Sequence, residues 1–199
     1  MKTQSTQATR GKLIIYVTVA VIFTIAGIMM QPKNIDNYVM YDCNVKNLRL
    51  STTIHISRDD TEICTVSGNI FRLIEDPLTM KDIEGNRIAY AGDDYHLISQ
   101  DSHAIIVGDT VTAEMDGLVR FFGNAYNIYN VNGEKIAYAE FNALDTAGEL
   151  YDADGKLIAT YGSFVLFNDF TIKISKDCEL DDTTVLMIFA SYYSDKAYD

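Results

Sequence analysis

The distribution of apolar and polar positions gives the chain three textures. Leu13 to Met30, LIIYVTVAVIFTIAGIMM, runs for 18 residues without a charge. Wound as a helix it reaches roughly 27 Å, close to the hydrocarbon thickness of a bilayer. From Tyr38 onward, short runs rich in Val, Ile, Thr and aromatic residues are punctuated by Asn, Asp and Gly. Tyr38 to Cys43, Leu48 to Ile56, Glu62 to Val66 and Ile70 to Ile74 read as strands on that basis. In Leu48 to Ile56 the closing alternation places His55 toward solvent between two buried isoleucines. The third texture is Thr183 to Tyr193, where Val185 to Ala190 are all apolar. Such a stretch covers every face of a helix, so it predicts an enclosed helix capped by Asp181 or Asp182. A final buried strand is the alternative reading, and the stretch is too short to span a membrane.

The middle of the chain repeats. Asp82-Ile83-Glu84-Gly85-Asn86-Arg87-Ile88-Ala89-Tyr90 aligns without gaps to Asn130-Val131-Asn132-Gly133-Glu134-Lys135-Ile136-Ala137-Tyr138 and to Asp152-Ala153-Asp154-Gly155-Lys156-Leu157-Ile158-Ala159-Thr160. Each copy reads as a hairpin turn, with Gly85, Gly133 and Gly155 where the backbone needs positive φ and a strand behind. Val107-Gly108-Asp109-Thr110 is a degenerate copy. The spacing predicts an antiparallel meander able to close into a barrel. Ser163 to Phe167 and Phe170 to Ile174 form one more hairpin across Asn168-Asp169.

Lys2, Arg10 and Lys12 precede the first apolar run in a tail free of Asp and Glu. The positive-inside bias then puts residues 1–12 in the cytoplasm, 13–30 across the membrane and the rest outside. A cleaved secretory signal shares the basic tail and apolar run, but Ile28-Met29-Met30-Gln31-Pro32 offers no small-x-small cleavage site. Residues 31–37, with Pro32, read as a short stem, and 38–199 as one domain. All 28 acidic residues but only 13 of the 16 Lys and Arg follow the run, a formal charge of minus 15 on that portion. Such a surface repels phosphate backbones and excludes nucleic acid as a partner. Cys43, Cys64 and Cys178 are too sparse for a disulfide scaffold; three buried free thiols are expected, with a single bridge as the alternative. The lack of an Asn-x-Ser/Thr sequon fits a bacterial source.

Candidate chemistry is thin. Asp152-x-Asp154-Gly155 has the look of a calcium loop, yet Lys156 and Ser163 stand where further ligands would be, and turn chemistry accounts for the acids. His55, His96 and His103 have no zinc spacing, and Ser102, His103 and a nearby Asp lack a nucleophile elbow, so a loop or surface histidine is the expectation. The 13 tyrosines and 9 phenylalanines are expected to fill the core, with Tyr192 and Tyr193 at the barrel mouth. No cofactor and no catalytic set are expected.

A series of D-x-x-G-x-x-I-A hairpins, then Phe167-Asn168-Asp169-Phe170-Thr171-Ile172-Lys173-Ile174, then an acidic step and a closing apolar helix, resembles the tubby-like superfamily, in particular its LURP-one-related and scramblase-like branch. The resemblance runs from about Leu78 to Tyr193. It implies a mostly β fold: a barrel of about twelve antiparallel strands threaded by the helix at 182–193, whose center is Val185, Leu186, Met187, Ile188 and Phe189, with the strands before Leu78 packing onto or completing the barrel. Tubby domains hold phosphoinositides with clustered Lys and Arg; here Asp59-Asp60, Asp93-Asp94 and Asp181-Asp182 occupy loops, so that activity does not transfer. Scrambling does not transfer either, because the apolar segment precedes the barrel and the cysteines are scattered. The expectation is a non-enzymatic, single-pass membrane protein whose extracytoplasmic domain serves as an interaction or scaffold module. The alternative is a carrier or sensor of a lipid or other hydrophobic small molecule.

Overall fold

A computed structural model describes residues 32–48, 51–69, 78–92, 102–118, 120, 123–163 and 169–196. The expected tail and membrane segment, the strand expected at Ile70 to Ile74, and Asp93-Asp94, His96 and Asp101 lie outside the described residues. Among the described residues no helix is long and apolar enough to cross a membrane.

Twelve antiparallel strands close into one barrel. They are β1 (Tyr38–Leu48), β2 (Ser51–Arg58), β3 (Thr61–Asn69), β4 (Leu78–Asp82), β5 (Arg87–Gly92), β6 (Ser102–Val107), β7 (Thr110–Leu118), β8 (Asn124–Tyr129), β9 (Lys135–Phe141), β10 (Ala147–Asp152), β11 (Leu157–Ser163) and β12 (Phe170–Ser175). Each pairs with its sequence neighbor, and β1 pairs with β12 from Tyr38↔Ser175 to Cys43↔Phe170 to shut the cylinder. The three strands before Leu78 therefore complete the barrel. A helix, α1 (Asp182–Lys196), follows β12. We call the barrel end where α1 begins the entry rim and the other the exit rim.

The repeat read from the sequence has a structural meaning beyond its turns. Gly85, Gly133 and Gly155 take φ of 87°, 75° and 82°, and in each copy the leading Asp or Asn wires the turn in the same way. Asp82, Asn130 and Asp152 accept the backbone N–H four residues on, at 2.8, 3.0 and 2.9 Å. Behind each turn the strand carries a β-bulge, with Ile88, Ile136 and Ile158 left without a partner in the register. Ile63 and Thr112 occupy the same place in the β2–β3 and β6–β7 hairpins. Bulges sharpen twist and bend a strand, which a closed cylinder requires at its corners. The next residue in each of the five hairpins is small and wholly inward: Cys64, Ala89, Ala113, Ala137 and Ala159, all at most 3% exposed. The I-A step thus bends the wall and then leaves room behind the bend.

That room is taken by α1. Val185 to Phe189 are all at most 3% exposed, with Ala190, Tyr192 and Tyr193 also buried, so the all-round apolar stretch is surrounded as its composition demands. Burying a large apolar side chain contributes roughly 1.5–3 kcal/mol, so these five alone supply on the order of 10 kcal/mol, comparable to the net stability of a whole domain. The helix is longer than the 182–193 expected, and its N-cap is Asp181. That carboxylate accepts the backbone N–H of Thr183 at 2.9 Å and of Thr184 at 3.1 Å, satisfying donors that the first helical turn leaves open.

Cys43 and Cys64 are buried and Cys178 half-buried, all as free thiols. Cys43 and Cys64 flank Ile56 from opposite sides, two strands apart, a separation of about 10 Å that a disulfide cannot bridge. Burial holds the Cys43 thiol well above its usual range and pushes Cys64 up to about 11.

Burial raises the Asp181 carboxyl, but hydrogen bonds from Thr184 and Thr183 outweigh it and hold the group below its ordinary 3.8. Its ionised form therefore stabilises the fold above that value, and the contribution fades as pH falls through the lower folded-state value. Asp181→Ala is expected to cost about 1 kcal/mol at pH 7. In thermal melts followed by circular dichroism, the gap in Tm between the two proteins should narrow as the pH falls below 3.8 and through the lower folded-state value of Asp181.

Candidate functional surface

Three groups of side chains rise above ordinary packing, and each is built from facing elements. The first fastens the start of α1. The Tyr41 hydroxyl on β1 donates to Asp182 Oδ2. The Thr184 hydroxyl lies 2.7 Å from Asp181 Oδ2 and 2.9 Å from the Thr112 hydroxyl on β7. Thr112 is the bulge residue of the degenerate repeat, a polar substitute for isoleucine that meets the helix start.

The second group fills the barrel beside the far half of α1. Phe141 and Tyr192 stack with rings 10° from parallel. Tyr126, Tyr161 and Phe189 meet them edge-on at centroid distances of 5.9–6.3 Å, the arrangement ring quadrupoles favor. The Tyr192 hydroxyl donates to Asp145 Oδ1, and burial together with that carboxylate raises its pKa well above the phenol range. Asp145 sits in the β9–β10 turn at φ 55°, where the other turns of this pattern carry Gly. Its N–H donates to Asn142 O at 3.0 Å, as Gly85 and Gly155 do to Asp82 and Asp152 at 3.1 Å. Tyr192 thus closes the exit end as expected, but through a turn without the repeat signature. The Tyr161 hydroxyl and Ser191 Oγ are fully buried and have no hydrogen-bond partner among the described residues. Two glycines make the aromatic set possible. A Cβ on Gly148 would overlap the edge of the Phe141 ring, 2.5 Å from Cε1, and one on Gly123, at φ 71°, would strike the Phe141 carbonyl oxygen.

The third group lies on the outer wall. Arg120 Nη1 is 3.2 Å from Glu140 Oε2 and a second Arg120 nitrogen donates to the Tyr138 hydroxyl. The Tyr151 hydroxyl lies 3.4 Å from Glu140 Oε1 and 2.5 Å from Glu149 Oε2. Lys33 completes the row. Its ammonium is 3.0 Å from Glu149 Oε2 and bonds Tyr151, and its backbone N–H donates to Glu149 Oε1 at 3.1 Å. Burial raises the Glu149 carboxyl, yet the donors from Tyr151 and Lys33 prevail and hold it below the usual range. Burial and the same carboxylate push Tyr151 up to about 12.

The stem is therefore packed down. Pro32 Cγ lies 3.2 Å from where a Cβ on Gly162 would stand, Ile35 is 6% exposed, and Asn37 accepts the Lys176 N–H at 2.9 Å. Lys33 is 61% exposed, and an ion pair that open contributes at most about 1 kcal/mol. Burial of Ile35, at roughly 1.5–3 kcal/mol, is the stronger hold. Asn37, at φ 50°, then reverses the chain into β1.

Other sequence candidates resolve individually. His55 is half-buried between Ile54 and Ile56, each 1% exposed, with Nδ1 3.1 Å from Glu62 Oε2. His103 is 4% exposed within β6, so it is a wall residue and not the loop or surface histidine expected. Asp152 Oδ1 is engaged by the N–H groups of Asp154 at 3.0 Å and Lys156 at 2.9 Å, which is turn chemistry. Asp59 and Asp60, at φ 51° and 60°, form the two-residue β2–β3 turn, where positive φ at both positions marks a type I′ turn.

No protein-family model matches the chain, and no curated protein matches it at a significant level. Among solved structures, the X-ray structure of a protein from Arabidopsis thaliana is similar, at 9% identity and a TM-score of 0.56, over 81% of this chain and 93% of that one. The likeness is one of fold.

Gly148→Ala should drive Phe141 out of its stack and cost about 1–3 kcal/mol, the usual range for overpacking. Urea denaturation measures this, and adding Phe141→Leu to the same chain should recover part of the loss.

Proposed function

We propose that this chain is a membrane-anchored, non-enzymatic β-barrel of tubby-like type, acting as an interaction or scaffold module on the outer face of a bacterial cell membrane. The observation that carries the reading is the occupied interior. Val185 to Tyr193 fill the space a barrel would otherwise offer to a substrate, so the rims and the outer wall remain for recognition. The apolar run at 13–30 and its basic tail support the anchor and the orientation. The order of hairpins and closing helix supports the family, and the solved structure of similar fold is compatible with it.

Carriage of a lipid or other hydrophobic molecule is the competing use. It calls for volume that α1 and its aromatic surround occupy, so the interaction reading is preferred. Recognition would fall to exposed positions such as Ile83 and Val131, which stand 68% and 61% exposed at turn tips among acidic side chains. Apolar tips rimmed by charge are a common make-up of contact surfaces.

A phosphatase reporter fused after Asp199 is expected to be active only outside the cytoplasm. Photo-cross-linking residues at positions 83 and 131 in intact cells are expected to yield discrete protein adducts. A reporter active only inside would reverse the topology. Purified protein carrying stoichiometric lipid, without adducts at either tip, would favor the carrier instead.

A further inference from the structure

We infer that Tyr138 and Tyr151 form an oxidative coupling site on the outer wall, where hydrogen peroxide, acting in one-electron steps through a haem peroxidase, joins the two rings into a dityrosine bond. The inference is independent of the anchor and of the interaction role proposed above.

The sheet sets the placement. Tyr138 on β9 and Tyr151 on β10 are direct partners in the register, and such partners hold their Cβ atoms about 4.5–5.5 Å apart on one face. That face is the outer one, since Ala137, Ala139 and Leu150 beside them are wholly inward, and both tyrosines are half-buried there. Among the described residues, Tyr126 with Tyr192 and Tyr161 with Tyr192 are also in ring contact, but at 78° and 84° between ring planes and inside the barrel. Tyr138 and Tyr151 have centroids 6.4 Å apart and planes only 32° from parallel, a tilt that lets the edges of both rings meet.

Their hydroxyls converge on one group. Glu140 Oε2 lies 3.4 Å from the Tyr138 hydroxyl and Glu140 Oε1 lies 3.4 Å from the Tyr151 hydroxyl, while Arg120 holds the same carboxylate at 3.2 Å. The two oxygens share one carbon, so the phenol ends are drawn together and the ortho carbons come with them. Those carbons carry much of the unpaired spin of a phenoxyl radical, and there two such radicals join.

The surrounding charges decide how the electron leaves. Lys33 lies over the Tyr151 ring at 5.1 Å, and Lys135 and Arg120 over the Tyr138 ring at 5.0 and 5.6 Å. Cations over a neutral ring are favorable, but they penalise a ring that has lost an electron and kept its proton. The proton must therefore depart with the electron. Glu149 Oε2, 2.5 Å from the Tyr151 hydroxyl, and Glu140 beside Tyr138 are placed to take it.

The step balances. Each phenol gives one electron to the oxidant and its hydroxyl proton to a carboxylate, leaving two neutral radicals. A bond forms between one ortho carbon of each ring, and the hydrogen on each of those carbons moves to the oxygen to restore the phenol. The carboxylates pass on their protons, so the pair has lost two electrons and two protons, which one hydrogen peroxide takes up as two waters.

The test treats the purified full chain with a haem peroxidase and hydrogen peroxide, raising the dose until the more exposed Tyr38, 37% exposed, is consumed. Lys135 and Lys156 bound a tryptic peptide that contains both tyrosines. That peptide is expected to become two hydrogens lighter in monomeric protein, to show dityrosine fluorescence, and to stay joined after cleavage at Glu140 and Glu149. Tyr138→Phe or Tyr151→Phe should abolish the product, while Tyr38→Phe should leave it unchanged. Glu140→Gln should lower its yield severalfold with Tyr38 consumed as before, and the same dose in urea should scatter coupling over other tyrosines. A 136–156 peptide left intact when Tyr38 is consumed, or coupling found only between separate chains, would overturn the inference. Full yield in Glu140→Gln would overturn the part given to the shared carboxylate.

Discussion

A helix that is apolar on every side has no solvent-facing orientation, and the architecture follows from that constraint. A single sheet would cover only one face of α1, so the wall must go all the way round. Going round twelve strands takes bends at regular intervals and space inside each bend. The five hairpins that open on the entry rim meet both needs with one local device: a bulge residue, then a small inward one. The repeat is therefore as much a specification for the interior as for the turns. A sixth hairpin position, between β12 and β1, is left open. The stem enters and the helix departs there, with Asn37 bonded to Lys176 and Tyr41 bonded to Asp182 across the gap.

Once the chain has supplied its own contents, the outside is where specificity has to reside. Full closure leaves no sheet edge for an extended peptide to join, which removes one common mode of recognition and leaves rims and loops. The outer wall over β9 and β10 is committed to the chain itself, because Glu149 and Tyr151 seat Lys33 while Glu140 is engaged by Arg120 and Tyr151. The result is a domain whose wall on this side is covered by its own stem, while the rims and the rest of the wall remain open.

What the sequence revealed and what it withheld divide along the range of the interactions. The glycine turns, the strands around them and the enclosed helix were legible because each follows from neighboring residues: positive φ at Gly85, Gly133 and Gly155, alternation, and the run from Val185 to Ala190. Asp181 could be named as one of two caps on the same grounds. The Asp145 turn was hidden because an aspartate takes the left-handed position without glycine. Gly123, Gly148 and Gly162 looked ordinary, since their need for a bare Cα arises from Phe141 and Pro32. His103 resembled a loop residue because Gln100-Asp101-Ser102 before it is polar, although the apolar run Ala104 to Val107 that follows it already pointed to a buried strand. The seat of Lys33 joins residues more than a hundred positions apart, and no local pattern encodes such a pairing.

The pairing of β1 with β12 joins the first strand of the domain to the last. During synthesis β1 is made early, and its partner emerges only after ten other strands have been laid down. Until then its hydrogen-bonding edge stands bare, and the cylinder is an open, curling ribbon. The helix is translated later still, so the ribbon can finish curling only around a guest that arrives last. Such a seam demands contacts of high sequence separation and forms slowly. A chain held at a fixed point through its amino end would keep its unfinished ribbon away from the ribbons of its neighbors during that wait.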